Sequence, residues 1–144
     1  MTVGDERFLR GLYDLKYLFG DKWTPAILAA LANGPLRRVE ILSTISSYSI
    51  GEEWSDKHTV LHDSILARYL KKMTEEGLLT RTRSPETFPT KVMYSLTPDV
   101  LEFLEIADRA LTWVDAHPEL ISNAQAYRRR PELDDDTGAE DDED

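Results

Sequence analysis

The 144 residues are 41% hydrophobic and 31% charged, the balance of one globular domain with appendages, and they include no cysteine, which excludes a disulfide scaffold, a thiolate-ligated metal or iron–sulfur site and a thiol nucleophile. No apolar run approaches the roughly 20 residues that span a bilayer, and the start Met-Thr-Val-Gly-Asp-Glu-Arg has no secretory apolar region, so a cytoplasmic protein without a membrane partner is expected. The net charge of −10 does not exclude a nucleic-acid partner: residues 132–144 hold nine carboxylates and no base, which leaves 18 acids against 17 bases in 1–131.

Phe8, Leu9, Leu12, Leu15, Leu18 and Phe19 recur at three and four, which predicts an amphipathic helix over about 5–19. Gly20-Asp21 ends it. Thr24-Pro25 then reads as an N-cap followed by proline at the first helical position, and Asn33-Gly34-Pro35 stops the second helix. Leu36-Arg37-Arg38 is a short extended segment before a third helix from Val39 to about Ile45. Residues 46–62 show no period and are expected to form a long loop. A fourth helix follows over about 63–76, capped by Asp63 or Thr59, striped by Ile65, Leu66, Tyr69, Leu70 and Met73, and stopped by Gly77. Thr-rich 78–83 and alternating Val92, Tyr94 and Leu96 predict a hairpin with a Pro85/Pro89 tip. Thr97-Pro98 opens a long fifth helix to about Ala116, His117-Pro118 breaks it, and a short helix precedes Arg128-Arg129-Arg130-Pro131. Residues 132–144 have almost nothing to bury and are expected to be a disordered acidic tail.

Short helices before a β-hairpin imply a winged helix-turn-helix, mainly α with a small hairpin (α+β), occupying 1–131. Gly20-Asp21-Lys22-Trp23-Thr24, with Ile27-Leu28 and Asn33-Gly34-Pro35, resembles the G-G-K-W-T…I-L…G-P opening of HxlR-type transcriptional regulators. Leu66 to Leu79 is similar to that family's L-x-x-R-L-x-x-L-E-x-x-G-L-I, with Arg68 one place early and Met73 for Leu. Pro85 to Thr97 resembles its wing, P-x-x-P-P-R-V-E-Y-x-L-T, with Lys91 at the arginine position, and Trp113 with His117 resembles the W…H of its last helix. The resemblance covers about 12–118. It implies a regulator that binds double-stranded DNA as a homodimer through N-terminal and C-terminal helices and catalyses no reaction. The family commonly carries a sensing cysteine where Arg10 stands here, so thiol sensing is excluded. The 46–62 insertion and the acidic tail are departures from the family pattern.

On the fourth helix, the face opposite the apolar stripe carries Ser64, Arg68, Lys71 and Glu75, with Lys72 beside them. Arginine pairs bidentately with guanine, and lysine serves phosphate or guanine. The hairpin (about 79–96) adds Arg81, Arg83 and Lys91, giving a weakly basic stripe of the kind that contacts phosphate. The candidate DNA-binding residues are therefore Ser64, Arg68, Lys71, Lys72, Arg81, Arg83 and Lys91. Tyr48 and Trp54 in the insertion are candidates to line a pocket for a small-molecule effector. No cofactor or metal is expected: there is no glycine-rich phosphate loop and no G-x-S-x-G, and His58 and His62 lack a third ligand. The alternative is a winged-helix module for effector binding or protein interaction whose DNA binding is weak or lost, which the insertion and the tail would suit.

Overall fold

A computed structural model describes residues 2–48, 60–86 and 88–128. In chain order they form α1 (Glu6–Phe19), α2 (Thr24–Leu31), α3 (Arg38–Ser47), α4 (Asp63–Glu75), β1 (Leu79–Ser84), β2 (Lys91–Leu96), α5 (Pro98–Asp115) and α6 (Pro118–Arg128). This is the expected order of helices and hairpin. Trp54, His58 and the acidic tail lie outside the described residues.

Local chemistry sets the helix ends. The Asp5 carboxylate accepts from the Phe8 N–H at 2.8 Å and the Thr2 N–H at 3.0 Å, which starts α1 and holds this carboxyl below the usual aspartate range. α1 stops at Gly20, whose N–H donates to the Lys16 carbonyl at 2.8 Å, and a Cβ at Gly20 would collide with that carbonyl. Trp23, not Thr24, is the N-cap of α2, so Thr24 and Pro25 fall inside the first turn. At the start of α3 the Glu40 carboxylate accepts from the Arg37 N–H at 2.9 Å and from Arg37 Nε at 3.1 Å. α3 runs two residues past the expected Ile45, to Ser47, so the first residues of the 46–62 segment are helical. His62, not Asp63, caps α4, without a side-chain bond to the helix, and the other candidate, Thr59, lies outside the described residues.

The end of α4 is a Schellman closure. Leu78 N–H donates to the Met73 carbonyl and Gly77 N–H to that of Thr74, with Gly77 at φ +85°. The chain passes directly into β1, which pairs antiparallel with β2 in the register Leu79↔Leu96 to Ser84↔Lys91. Leu36 adds a third rung on the other edge of β2, exchanging both backbone bonds with Tyr94 at 3.0 and 2.8 Å. The Thr97 hydroxyl donates to the Gly77 carbonyl at 3.0 Å, so the start of α5 is tied to the end of α4.

One core holds these pieces together. Ile27 and Leu31 of α2, Ile41 of α3, and Leu66, Leu70 and Met73 of α4 are almost completely buried. Leu79, Leu96 and Val100 close it from the hairpin and α5, and Leu61 reaches it from the segment before α4. Each such aliphatic side chain stabilises the fold by roughly 1.5–3 kcal/mol relative to exposure. Contacts divide the described residues into two compact units, one of 2–48 with 60–104 and one of 105–128, with the boundary inside α5. Among the described residues no helix is long and apolar enough to cross a membrane.

Candidate nucleic-acid interface

Burying Leu66, Leu70 and Met73 fixes the rotation of α4 about its axis. The helical period then turns Ser64, Arg68, Lys71 and Glu75 outward, and all four are exposed. α3 packs on both α2 and α4, so the outward helix sits on a braced pair, the arrangement of a helix-turn-helix.

Two ion pairs link this helix to distant parts of the chain. Arg38 Nε, on the first residue of α3, lies 3.1 Å from Asp63 Oδ1, on the first residue of α4. Lys72 Nζ lies 2.7 Å from Asp21 Oδ2 and 3.1 Å from Glu76 Oε2. The hydrogen bond to Asp21 is the main reason the Lys72 ammonium is held above the usual lysine range, against a smaller desolvation effect. Lys72 thus joins α4 to the turn after α1; four residues from Arg68, it flanks the Arg68–Lys71 face on the side toward that turn. In the sequence it differs from Lys71 by one place, and a partner 51 residues away leaves no local signal. The Arg38–Asp63 pair is equally invisible to periodicity.

The hairpin register sorts the remaining cations. Side chains alternate across a strand, so Arg81 and Arg83 share a face with Tyr94 and Val92, their cross-strand partners. Lys91 pairs with Ser84 and lies on the opposite face. There it contributes to holding the Glu40 carboxyl below the usual glutamate range, an effect due first to the Arg37 N–H and guanidinium. The structure therefore brings Arg68 and Lys71 together on α4 and Arg81 and Arg83 together on the wing, and sets Lys91 apart, toward the start of α3. All five are exposed, and among the described residues none forms an ion pair.

Tyr48 caps the C-terminus of α3 and is 38% exposed. A cleft of about 440 Å³ lies elsewhere, lined by Tyr13, Lys16, Tyr17, Asp21, Lys72 and Glu76 and not by Tyr48. The sequence reading missed it because its walls come from α1 and the end of α4.

A helix-turn-helix followed at once by an antiparallel hairpin defines the winged helix-turn-helix class of DNA-binding proteins. The model of the HxlR-like helix-turn-helix family matches residues 18–121, and the chain belongs to that family: it is a DNA-binding transcriptional regulator. It is 30% identical over 98 residues to the HTH-type transcriptional regulator YodB of Bacillus subtilis (strain 168), covering 68% of this chain and 75% of that protein. The crystal structure of diamide-treated YodB from B. subtilis superposes with a TM-score of 0.56 at 23% identity, covering 80% of this chain and 96% of that one. A MarR-family regulator from Enterococcus faecalis V583 superposes with a TM-score of 0.64 at 16% identity, over 85% of this chain and 97% of that one. At such identities the two structures speak for the fold.

Proposed function

We propose that this HxlR-type regulator works in the cytoplasm, binding duplex operator DNA as a homodimer, with α4 as recognition helix and the β1–β2 hairpin as wing. The observation that carries this reading is the outward face of α4: Arg68 and Lys71 are exposed, and no carboxylate among the described residues engages them. In such a site Arg68 reads a base edge, Ser64 and Lys71 complete the helix contact, Arg81 and Arg83 hold phosphates from one face of the wing, and Lys91, on its other face, meets a phosphate on the side of α3. Lys72 serves first to seat α4 against Asp21 and contacts a phosphate only if that pair opens. Residues 1–131 form the DNA-binding and dimerising part, and 132–144 are an acidic appendage.

Dimerisation is supported by α1. None of its residues is buried, yet Leu9, Leu12 and Leu15 are 50%, 52% and 45% exposed. An amphipathic helix left uncovered on its apolar side is a surface for another chain. Thiol oxidation is no route for a signal, because the sequence holds no cysteine. Whatever regulates the protein enters as a ligand or a partner, and the insertion with Tyr48 and Trp54 remains the proposed place for a small effector.

The test is fluorescence anisotropy with the duplex upstream of the protein's own gene, at two salt concentrations. Binding that is sequence-selective and weakens with salt is expected. No binding at either salt overturns the reading and favours a winged-helix interaction module.

A further inference from the structure

The first residue of the proposed recognition helix carries a charge that DNA binding by cations does not explain. Asp63 opens α4, immediately before Ser64 and five residues, about 1.4 turns, before Arg68. Its carboxylate is not used for capping: His62 holds the cap position, and no side-chain cap bond is made there. The side chain is 55% exposed, and among the described residues its charged partner is Arg38, at 3.1 Å. Cα–Cβ bonds in a helix tilt toward the N-terminus, so a side chain in the first turn projects beyond the helix end. That end is the one helix-turn-helix proteins present to base edges.

A bare carboxylate in a groove lined by phosphates would be repelled. Arg38 removes that objection, because it travels with Asp63 and makes the pair neutral. Arg38 springs from an ordered backbone: it is the first residue of α3, whose start is held by the bonds from Arg37 to Glu40. The two helix starts thus hold one acceptor group at the reading end of α4. An ionised carboxylate only accepts hydrogen bonds. In the major groove guanine offers N7 and O6, both acceptors, and thymine offers O4, an acceptor beside a methyl group. Adenine couples its amine to the acceptor N7, whereas cytosine offers its N4 amine without an adjacent acceptor.

We propose that Asp63 is a specificity-determining residue that accepts a hydrogen bond from the N4 amine of a cytosine in each half-site, with Arg38 as its positioning residue. The inference rests on the reading of α4 as recognition helix. It places a cytosine contact next to the base that Arg68 reads, and it assigns Arg38 a role in orientation.

The experiment is selection of bound duplexes from a random pool by the full chain, then competition with duplexes changed one base at a time. The wild type is expected to enrich a motif containing a cytosine that no other base replaces without a loss of about tenfold. Asp63→Ala should lose the discrimination at that one position and keep it elsewhere, and Asp63→Asn, whose amide both accepts and donates, should admit adenine there in place of the strict cytosine. Arg38→Met should blunt the same position, leaving Arg68's preference intact. Thermal melts of the variants that match the wild type exclude loss of the fold as the cause. If both Asp63 variants keep the preference, or bind every duplex more tightly by the same factor, Asp63 is only a negative charge near DNA and the proposal is wrong. Failure of the wild type to enrich any duplex overturns the DNA-binding reading itself, a separate outcome.

Discussion

Thr24 shows how one side chain departs from its local pattern. In Thr24-Pro25 the hydroxyl looks like a helix cap, yet Trp23 takes the cap position with φ −100° and ψ −5°, and Trp23 packs partly against the core. Thr24 is 1% exposed, its Oγ1 without a hydrogen-bond partner among the described residues. A buried hydroxyl with no partner carries a desolvation cost of about 1–3 kcal/mol. Thr24→Val should therefore raise stability, by about 1 kcal/mol after packing differences, seen as a higher urea midpoint at unchanged slope. A lower midpoint would mean that the hydroxyl is satisfied in solution. Arg68 is the opposite case, an exposed side chain to which the proposed function gives a role only in the complex. Arg68→Ala should leave the urea midpoint nearly unchanged and weaken operator binding by about 1–3 kcal/mol, with relaxed preference at one base position per half-site. An unchanged preference would place base reading elsewhere.

At the scale of elements, the sequence was most readable where a period and a stop coincide. The stripe Leu66, Leu70, Met73 and the Gly77 stop define α4 almost to the residue, because burial sets the one and backbone sterics the other. Gly77 sits at φ +85° with open space around a notional Cβ, so the cost of a side chain there is backbone strain alone. Gly77→Ala should destabilise by roughly 1–2 kcal/mol, the left-handed penalty of an L-residue, without changing the fold. A loss near zero in chemical denaturation would show that the junction between α4 and β1 relaxes. The hairpin was legible as strands but not as faces. Only the register Ser84↔Lys91 reveals that Lys91 looks away from Arg81 and Arg83. The pairs Arg38–Asp63 and Lys72–Asp21 were hidden for the same reason: they are properties of how elements meet. Leu61 was hidden too, a core residue in a stretch that lacks any period.

The whole molecule adds two terms that no element holds. One is assembly: with the apolar side of α1 uncovered, light scattering at micromolar concentration should give about twice the 16.5 kDa chain mass, and a monomer would remove the simple account of two half-sites roughly 34 Å apart.

The other is charge. Nine of the ten net negative charges fall in 132–144, so 1–131 are nearly neutral and the intact chain is strongly acidic. A dimer doubles both numbers. DNA therefore meets a weakly basic reading surface attached to a large negative charge. The attraction is gained only in orientations that bring the basic face to the duplex, whereas the net charge repels at every orientation, and both are screened over the same distance. Encounters without base contacts suffer most, because phosphate attraction is all they have. Specific complexes keep their base contacts and lose proportionally less. A chain ending at Pro131 should then bind random-sequence duplex more tightly than the full chain at low salt. The difference should shrink as ionic strength rises, since the Debye length falls from about 30 Å at 0.01 M to about 8 Å at 0.15 M. Operator binding should change less than random-sequence binding, so removing the tail should lower selectivity rather than simply raise affinity. Superimposable curves for the two chains on random duplex at 0.01 M salt would show that the tail's charge is neutralised before DNA arrives, and the selectivity of the regulator would then rest on α4 and the wing alone.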